Sequence, residues 1–509
     1  MLPTNSNWKK IITAAQTRQA DAHTIEHEPI ASIDLMERAS RAFVDLFIQK
    51  VDPSIGMVHV VCGTGNNGGD GLAIARMLLN KGYQVKAYLI RFAAHLSPDC
   101  ETNRQRLAKL QSVIEITEET DLGLNEGLII DAIFGSGLNR PVEGLAARVI
   151  EQINRSKLLV VAVDIPSGVF ADEVNAAENC VQANATITFQ RPKLSFMIPE
   201  SGRFVGVWMV VHIGLSEPFI QAQDSPYSLI EVQDVATLLP SRPKFAHKGQ
   251  FGRVQLVAGS KGKMGAATLS AEAILKAGAG LLTIHVPQVG LNVVQTVIRE
   301  AMATVDTEKD YISEVPEMPQ LHTICVGPGL GTTTITRQAL ESLIQRTEQP
   351  MVLDADALNI VAKANLLGQL PKGSVLTPHV GEFDRLFGES ENGLERIGKL
   401  REAAVTFGLI VVLKGAHTAV GDTEGRVYFN TTGNAGMATA GSGDVLAGLI
   451  TGLLAQGLSP KDAATAGVFL HGLAGDLAEK KCGKMSLMAS NLLNELPQAI
   501  NNVSVKSIF

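Results

Sequence analysis

The chain has 509 residues, of which 45% are hydrophobic and 19% are charged, a mixture that excludes wholesale disorder. At about 150 residues per domain, this length predicts about two to four domains. The 44 basic and 51 acidic residues give a net charge of −7, so overall charge provides no attraction to nucleic acid or to an anionic membrane.

Helix-like and strand-like patterns alternate through the first half of the chain. Apolar residues at helical spacing over residues 30–50 precede the strand-like run MVHVVC, which ends at Cys62. Further strand-like runs are QVKAYLI, GLIIDAIF, LLVVAVD, ATITF and VGVWMVV, and the last of them ends the first unit near Gly214. Strands separated by crossover helices predict a parallel sheet with helices on both faces.

A proline-containing stretch without a clear period, residues 216–249, separates the two halves. We therefore expect one domain over residues 1–220 and a second over residues 221–509. The second half alternates again, through RVQLVAG, LLTIHVP, TICVGPG, MVLDAD, SVLTP and LIVVLKG, and ends in helical patterns. This order predicts a second α/β domain.

Neither a membrane span nor a secretion signal is predicted. The least polar stretch, residues 445–460, falls short of the ~20 apolar residues that a spanning helix needs, and predicts a buried helix instead. The N-terminal residues lack the apolar core of a signal sequence, and the five cysteines never show CxxC spacing. We expect a cytoplasmic protein that binds neither membrane nor nucleic acid.

The first glycine motif lies between a predicted strand and a predicted helix. Gly63, Gly65 and Gly68 match GxGxxG, the turn that binds dinucleotides in Rossmann-like domains. The next strand ends at Arg91, where a dinucleotide-binding dehydrogenase has an acid. Asp70 would repel a pyrophosphate unless a cation intervened. In the alternative interpretation, the polar side chains of this turn only cap the helix and hold the turn.

Two further strand ends carry oxygen-containing side chains. Asp131 begins DAIFGSGLNRP, and VDIPSG contains Asp164 and Ser167. Because the carboxyl ends of parallel strands share one crevice, we expect these residues to lie near Asn67. Such an all-oxygen set suits potassium at least as well as magnesium, although Asp131 in a hydrogen-bonded turn without an ion is the alternative. Backbone amides of the loop over residues 135–141 could hold phosphate oxygens.

GTGNNGGDG, DAIFGSGLNRP and VDIPSG together resemble the NAD(P)H-hydrate epimerase family over residues 10–215. That family interconverts the R and S forms, at C6, of the hydrated nucleotides NADHX and NADPHX. The resemblance implies a Rossmann-like domain that binds K⁺ through Asn67, Asp131 and Ser167. It implies that the substrate is bound by Asn66, Asn67, Gly68, Gly69, Asp70, Gly135, Ser136, Gly137, Leu138, Asn139, Arg140, Pro141 and Asp164.

Asp164 is the predicted catalytic residue of the first half. Inversion at a carbon that bears a hydroxyl beside an enamine nitrogen needs a group that can both give and take a proton. Lys193, in FQRPKL, assists that step in one interpretation and is a solvated surface lysine in the other.

The strongest motif of the second half is TAGSGDVLAGLITGLL. Gly441 and Gly443 precede a helix with Asp444 in its first turn, so free backbone amides and the helix dipole face an anion. A carboxylate there can take a proton from an attacking hydroxyl while the amides hold the transferred phosphoryl group. The alternative is that Asp444 only caps the helix.

Three more strand ends support a phosphate site: VGPGLG with Gly329, LTPHVGEF with His379, and VLKGAHT with Lys414. Lys414 is predicted to meet a nucleotide phosphate, whereas His379 in isolation is equally compatible with a structural role. Asp354 and Asp356 point to opposite faces if their strand continues, so at most one of them lines the site.

GPGLG, TPH with GE, and GNAGMATAGSGDVLAG together resemble the ADP- or ATP-dependent NAD(P)H-hydrate dehydratase domain of the ribokinase-like superfamily, over residues 235–500. The resemblance implies Mg²⁺, ADP or ATP as phosphoryl donor, and a homo-oligomer, with a tetramer expected. Val380, Ala435 and Ala440 depart from the family pattern, which we expect to affect local affinity more than activity. The implied hydrate contacts are Ala266, Gly329, His379 and Asp444, and the implied nucleotide contacts are Lys414, Gly415, Ala416, His417, Thr418 and Gly443.

Together the two resemblances imply a bifunctional enzyme that epimerises NAD(P)HX and dehydrates the S form to NAD(P)H with ADP, releasing AMP and phosphate. Asp444 would deprotonate the C6 hydroxyl, the nucleotide would phosphorylate it, and the ring nitrogen would expel phosphate. The alternative is a small-molecule kinase, of the hydroxymethylpyrimidine or sugar type, fused to a noncatalytic nucleotide-binding domain. The preferences between ADP and ATP, and between NADHX and NADPHX, stay open.

Overall fold

A computed structural model of the chain describes residues 8–118, 120–174, 179–318 and 320–504. These residues divide into two compact units. The N-terminal unit is Lys10–Ser225 with Asn392–Leu394, and the C-terminal unit is residues 8–9, Pro226–Glu391 and residues 395–504. Each unit has its own hydrophobic core.

The elements of the first part of the chain agree with the strand-like and helix-like runs of the sequence. A short strand, β1 (Lys9–Lys10), comes first. The helices that follow are α1 (Ala14–His27), α2 (Ser32–Phe47), α3 (Asn66–Asn80), α4 (Pro98–Ala108), α5 (Gly144–Ser156), α6 (Pro199–Gly202) and α7 (Glu217–Ala222). The strands are β2 (Met57–Cys62), β3 (Gln84–Ile90), β4 (Ile114–Ile116), β5 (Leu128–Ala132), β6 (Leu159–Val163), β7 (Ala185–Phe189) and β8 (Val207–Val211).

The sheet of the N-terminal unit has the strand order β4-β3-β2-β5-β6-β7-β8, and every neighbouring pair is parallel. Alternate residues enter different cores: Val60 and Ile130 pack in one cluster, Val61 and Ile129 in another. The predicted parallel sheet with helices on both faces is therefore confirmed. The strand order reverses at β2, which lies between β3 and β5, and ligands of such sheets bind at this crevice.

The C-terminal unit is a second α/β unit. Its strands are β9 (Tyr227–Leu229), β10 (Arg253–Val257), β11 (Leu281–Val286), β12 (Met302–Val305), β13 (Thr323–Val326), β14 (Met351–Leu353), β15 (Val375–Leu376), β16 (Ile410–Leu413), β17 (Ala419–Gly421) and β18 (Val427–Phe429). Its helices, with α14 beginning in the 392–394 segment of the other unit, are α8 (Val232–Leu238), α9 (Met264–Lys276), α10 (Leu291–Val297), α11 (Thr334–Arg346), α12 (Asp356–Ala364), α13 (Val380–Phe387), α14 (Gly393–Phe407), α15 (Ser442–Ala455), α16 (Pro460–Cys482) and α17 (Ala489–Ser504).

Strands β10 to β16 of this sheet are parallel, in the order β16-β15-β14-β13-β10-β11-β12. An antiparallel pair, β17 and β18, extends it beyond β16, and β9 adds a strand parallel to β18. The predicted buried helix is confirmed as α15, which packs on α9. Among the described helices, none is both long enough and apolar enough to span a membrane.

Candidate functional site

The glycine turn after β2 brings helix α3 to the sheet crevice. The residue at the N-cap of α3 is Gly65, and no side chain caps the helix, so the capping interpretation of Asn66 and Asn67 is wrong. Asn67 Nδ2 instead donates to the carbonyl oxygen of Phe134, 3.0 Å away, beyond the end of β5. A Cβ at Gly68 would lie 1.9 Å from the carbonyl oxygen of Gly63, so this contact requires glycine.

Asp131 and Ser167 lie together at the same edge. Ser167 donates to Asp131 twice, from its amide to Oδ2 at 2.7 Å and from its hydroxyl to Oδ1 at 2.6 Å. The Phe134 amide in turn donates to the Ser167 hydroxyl at 2.8 Å. Burial raises the pKa of Asp131 to about 6, against the opposing effect of the hydrogen bonds that it accepts. Asn67, Asp131 and Ser167 are thus brought together around Phe134.

These three side chains fit a monovalent cation better than a divalent one. They offer a single carboxylate with amide and hydroxyl oxygens, and Phe134 adds a carbonyl oxygen. Both oxygens of Asp131 already accept hydrogen bonds. Among the residues that the structure describes, no group of three His, Cys, Asp or Glu side chains is placed to hold a metal ion. One carboxylate with neutral oxygens balances the charge of K⁺.

Only some residues of the loop over residues 135–141 lie near this crevice. A Cβ at Gly135 would lie 3.2 Å from Cβ of Asn67, and one at Gly137 would lie 3.8 Å from the guanidinium of Arg18. Leu138 packs against the apolar cluster on the α5 side of the sheet. The remaining residues of the loop are half-buried or exposed: Ser136, Asn139, Arg140 and Pro141.

Asp164 is held by a separate set of donors. It directly follows β6 with φ of 65°, in the left-handed region. Its Oδ1 accepts from Lys193 Nζ at 2.6 Å, from the Thr188 hydroxyl at 3.1 Å and from the Phe189 amide at 3.0 Å. The surface interpretation of Lys193 is wrong, because only 3% of this residue is exposed.

Two further acids lie close enough to Asp164 to affect each other's charge. Burial and then the charge of Asp164 raise the pKa of Asp70 well above its usual range. The same two causes, opposed by Lys193 and Arg18, raise the pKa of Asp21 on α1 to about 6. Asp21 was missed in the sequence because it lies in a polar helical segment without any motif.

A cavity of about 890 Å³ contains most of the residues predicted for the second half. Its wall includes Asp444 and Gly443 from the start of α15, His379 from the start of α13, and Lys414, Gly415, Ala416, His417 and Thr418 after β16. Side chains that the motif analysis did not single out also line it: Glu382, Asn430, Asn434, Thr439 and His471.

The first turn of α15 forms one wall of this cavity. Gly441, with φ of 89°, is the N-cap residue, and Asp444 is the third residue of the helix, so the interpretation of Asp444 as a plain cap is wrong. Amides of a first helical turn lack intrahelical acceptors and carry the positive end of the helix dipole. Burial and then the charge of Asp354 raise the pKa of Asp444 to about 7, against the lowering effect of Lys414.

Lys414 forms an ion pair beside the first turn of α15. Its Nζ is 2.9 Å from Oδ1 of Asp354 and 3.9 Å from Oε2 of Glu382. Burial alone lowers the pKa of Lys414, but the two carboxylates outweigh it and raise that pKa above its usual value. Strand β14 ends at Leu353, so Asp354 lies beyond the strand and lines the cavity. Asp356 begins α12 and pairs with Lys263 at 3.1 Å.

Two of the three histidines that line the cavity, His379 and His471, are held by main-chain groups. His379 is the N-cap of α13, and its Nδ1 accepts from the amides of Gly381 and Glu382 at 3.0 and 3.3 Å, so it is at once structural and cavity-lining. An accepting Nδ1 places the proton of the neutral ring on Nε2. His471 Nε2 is 2.9 Å from the carbonyl oxygen of Ser442, and burial lowers its pKa to about 4.

Ala266 and Gly329 lie beside each other at the reversal of strand order between β10 and β13. A Cβ at Gly329, where φ is 61°, would lie 3.2 Å from Cβ of Ala266. Neither residue belongs to the described wall of the cavity that Asp444 lines. The structure therefore brings the nucleotide candidates together with His379 and Asp444, and places these two small residues outside that wall.

The chain matches two family models, one described as NAD(P)H-hydrate dehydratase over residues 254–498 and one as YjeF-related protein N-terminus over residues 32–195. A solved structure of an ADP/ATP-dependent NAD(P)H-hydrate dehydratase from Bacillus subtilis, co-crystallised with ATP and Mg²⁺, is similar to part of it. That protein is 30% identical, with a TM-score of 0.48, over 54% of this chain and 98% of its own.

Similarity to curated relatives extends over almost the whole chain. The bifunctional NAD(P)H-hydrate repair enzyme of Moorella thermoacetica is 37% identical over 97% of this chain and 97% of its own length. The enzyme of the same description from Thermofilum pendens is 38% identical over 96% of both chains. With this identity over its full length and a match to both family models, the chain belongs to the family of bifunctional NAD(P)H-hydrate repair enzymes.

Proposed function

We propose that this chain repairs hydrated nicotinamide nucleotides. The N-terminal unit interconverts the R and S forms of NADHX and NADPHX, and the C-terminal unit dehydrates the S form to NADH or NADPH with ADP. The observation that carries the proposal is that Asp444, the start of α15 and Lys414 line one cavity. Membership of the repair-enzyme family supports the same assignment.

Dehydration begins with the C6 hydroxyl of the substrate, and Asp444 takes its proton. The hydroxyl oxygen bonds to the terminal phosphorus of ADP, the bond between the two phosphates breaks, and AMP leaves. Amides at the start of α15, together with Lys414, stabilise the negative charge that develops on the phosphoryl oxygens. The ring nitrogen then expels phosphate from C6, and loss of a proton from C5 restores the double bond of NAD(P)H.

The nucleotide is proposed to lie against residues 414–418 and Gly443. Mg²⁺, when bound, neutralises charge on the phosphates, and we expect it to be held by those phosphates rather than by a dedicated cage of carboxylates. In the N-terminal unit, Asn67, Asp131 and Ser167 are the proposed K⁺ ligands. Ala266 and Gly329 are retained as candidate contacts for the hydrate.

Epimerisation is assigned to Asp164. The carbon C6 bears a hydroxyl and bonds to the ring nitrogen, so its configuration inverts when the C–O bond breaks and reforms on the other face. The carboxylic acid form of Asp164 can protonate the departing oxygen, and the carboxylate that results can then accept a proton from the returning water. Residues 66–70 and 135–141 are the proposed contacts of the nucleotide in this unit.

The dehydratase assignment is tested with S-NADHX and ADP. The wild-type chain should restore the absorbance of dihydronicotinamide and release AMP and phosphate in equal amounts. Asp444→Asn should lower the rate by about 100-fold or more, because general base catalysis is lost. Asp310→Asn, at a carboxylate paired with Lys261 outside the cavity, should keep the wild-type rate. A stable phosphoester in place of NADH would favour the small-molecule kinase.

The epimerase assignment is tested with R-NADHX and ADP. The wild-type chain should convert this epimer completely, since the C-terminal unit removes the S form as it appears. Asp164→Asn should convert it only at the spontaneous rate, while its rate on S-NADHX stays at the wild-type value. Wild-type conversion of the R form by this variant would reject Asp164 as the catalytic group.

A further inference from the structure

We propose that Lys193 is a positioning residue of the epimerisation site, which holds one oxygen of Asp164 and leaves the other oxygen for the substrate. The inference rests on the proposed epimerase function of the N-terminal unit, and it assigns a role to a side chain that lies 29 residues away from Asp164 along the chain.

Lys193 directs all of its hydrogen-bonding capacity toward this one place. Its Nζ donates to Asp164 Oδ1 at 2.6 Å, to the Thr188 hydroxyl at 3.1 Å and to the carbonyl oxygen of Arg191 at 3.2 Å. An ammonium group has three protons, so these bonds use all of them. In this arrangement no proton of the ammonium is left for a ligand, which favours a positioning role over direct contact with the substrate.

The two oxygens of Asp164 differ in their surroundings. Oδ1 accepts from Lys193, from the Thr188 hydroxyl and from the Phe189 amide, whereas Oδ2 has no hydrogen-bond partner within the described ranges. The backbone contributes to this arrangement, because φ of 65° at Asp164 is a left-handed conformation that costs about 1 kcal/mol for a residue other than glycine. The chain thus keeps an unfavourable backbone conformation that presents one oxygen of a nearly buried carboxylate.

Acidic groups outnumber basic groups around this carboxylate. The charge of Asp164 raises the pKa of Asp21 on α1 and of Asp70 on α3, while Arg18 lowers the pKa of Asp21 and Lys193 lowers that of Asp172. Lys193 is the described cation in contact with Asp164 itself. Without that ammonium, Asp164 would keep two nearby carboxyl groups and lose its directly bonded positive charge, so its ionised form would be less stable.

The experiment measures conversion of R-NADHX to S-NADHX against pH in three variants of the full chain. Lys193→Met removes the ammonium, Lys193→Arg keeps the charge with a different geometry, and Lys81→Met is the control at an exposed lysine after α3. The rate of the same preparations on S-NADHX with ADP reports whether the C-terminal unit is folded. The denaturant unfolding transition of the N-terminal unit, compared with that of the wild-type chain, reports whether the unit that contains Lys193 is folded.

Lys193→Met should lower kcat for epimerisation about 100-fold with less than a threefold change in KM. The limb of the kcat/KM profile that reports Asp164 should move to higher pH, since loss of the bonded ammonium disfavours the ionised carboxylate. Lys193→Arg should keep this limb at its wild-type pH and recover part of kcat, and Lys81→Met should match the wild-type chain. A purely structural lysine would not move the pH profile, so a wild-type profile in folded Lys193→Met overturns the proposal.

If Lys193→Met does not accumulate as folded protein, Lys193→Arg decides. A guanidinium cannot occupy the place of the ammonium without moving Oδ1, so kcat should fall at least tenfold at unchanged KM, and an unchanged kcat overturns the proposal. Absence of epimerisation in the wild-type chain would instead reject the proposed function. That outcome is distinguishable, because it does not depend on any substitution at Lys193.

Discussion

At the scale of single residues, Asp444 shows how burial prepares a carboxyl group for proton transfer. Because its pKa lies at about 7, the dehydratase rate should rise with pH through neutrality, as the carboxylate that accepts the proton forms. We expect kcat/KM at pH 6 to be about tenfold below its value at high pH. Lys414→Met should move this limb to higher pH, because the charge of Lys414 lowers the pKa of Asp444. A profile that is flat between pH 6 and 8 would contradict the assignment.

The raised pKa of Asp444 also has a consequence for stability. A carboxyl group with a pKa near 7 in the folded chain and about 3.8 when exposed binds its proton more tightly when folded. This residue therefore costs stability progressively as pH rises from about 4 to about 7. Asp444→Asn should have a higher Tm than the wild-type chain at pH 8, and the difference should shrink at pH 5. Thermal unfolding at both pH values tests this, and a difference that grows toward pH 5 would reverse the predicted sign.

Gly443 provides a steric test of the cavity. A Cβ at this position would lie 3.3 Å from Lys414 Nζ and 3.7 Å from Asp354 Oδ2, so an alanine should shift the ammonium of Lys414 slightly and occupy space beside it in the cavity. Gly443→Ala should raise KM for ADP at least fivefold while the chain stays folded. Gly398→Ala is the matched control, since a Cβ there meets nothing within 4 Å. Steady-state kinetics with varied ADP measure KM in both variants. Equal KM values would contradict the proposed nucleotide position.

At the scale of elements, helix α3 lies so close to its sheet that a methyl group cannot be added between them. A Cβ at Gly71 would lie 2.5 Å from Cβ of Ala132 on β5 and 2.8 Å from Sγ of Cys62 on β2. Gly71→Ala should destabilise the N-terminal unit by about 1–3 kcal/mol, the cost of an overpacked core. It should also slow epimerisation, because a displaced α3 moves Asn67 and Asp70.

Denaturant unfolding of the Gly71→Ala chain measures the loss of stability. Gly65→Ala is the comparison at the start of the same helix, where a Cβ meets nothing within 4 Å, and its effect should be smaller. Equal destabilisation by the two substitutions would show that the close approach of α3 to the sheet is not the cause of the lost stability of the N-terminal unit.

At the scale of the whole molecule, each unit has its own sheet and core, and each candidate site is built from residues of a single unit. We therefore expect the two activities to be separable. A mixture of the Asp164→Asn and Asp444→Asn chains should convert R-NADHX with ADP. Its rate should lie within about a factor of two of the wild-type rate, measured at the same concentration of intact epimerase and dehydratase sites. Each variant alone should fail at one step. Failure of the mixture, with each remaining activity intact, would show that both sites must belong to one chain.

Several features of the fold and site were predictable from local patterns. Strands buried on both faces of a parallel sheet must be apolar throughout, so runs such as MVHVVC and LIVVLKG identify β2 and β16. Glycines at strand ends identify the turns, because backbone must approach backbone or ligand there. The hairpin of β17 and β18, with three residues in each strand, was missed, whereas the equally short β14 was identified.

By itself, the sequence determined the α/β class, the order of the elements, and the motifs that place polar groups at strand ends, because these depend on neighbours along the chain. Only the tertiary structure decided which charges meet. Lys193 was as compatible with the surface as with the interior until its contact with Asp164 was seen, and His471 lies in an apolar helix that carries no motif. Protonation and hydrogen bonding depend on distances between residues far apart in the chain, which local patterns do not encode.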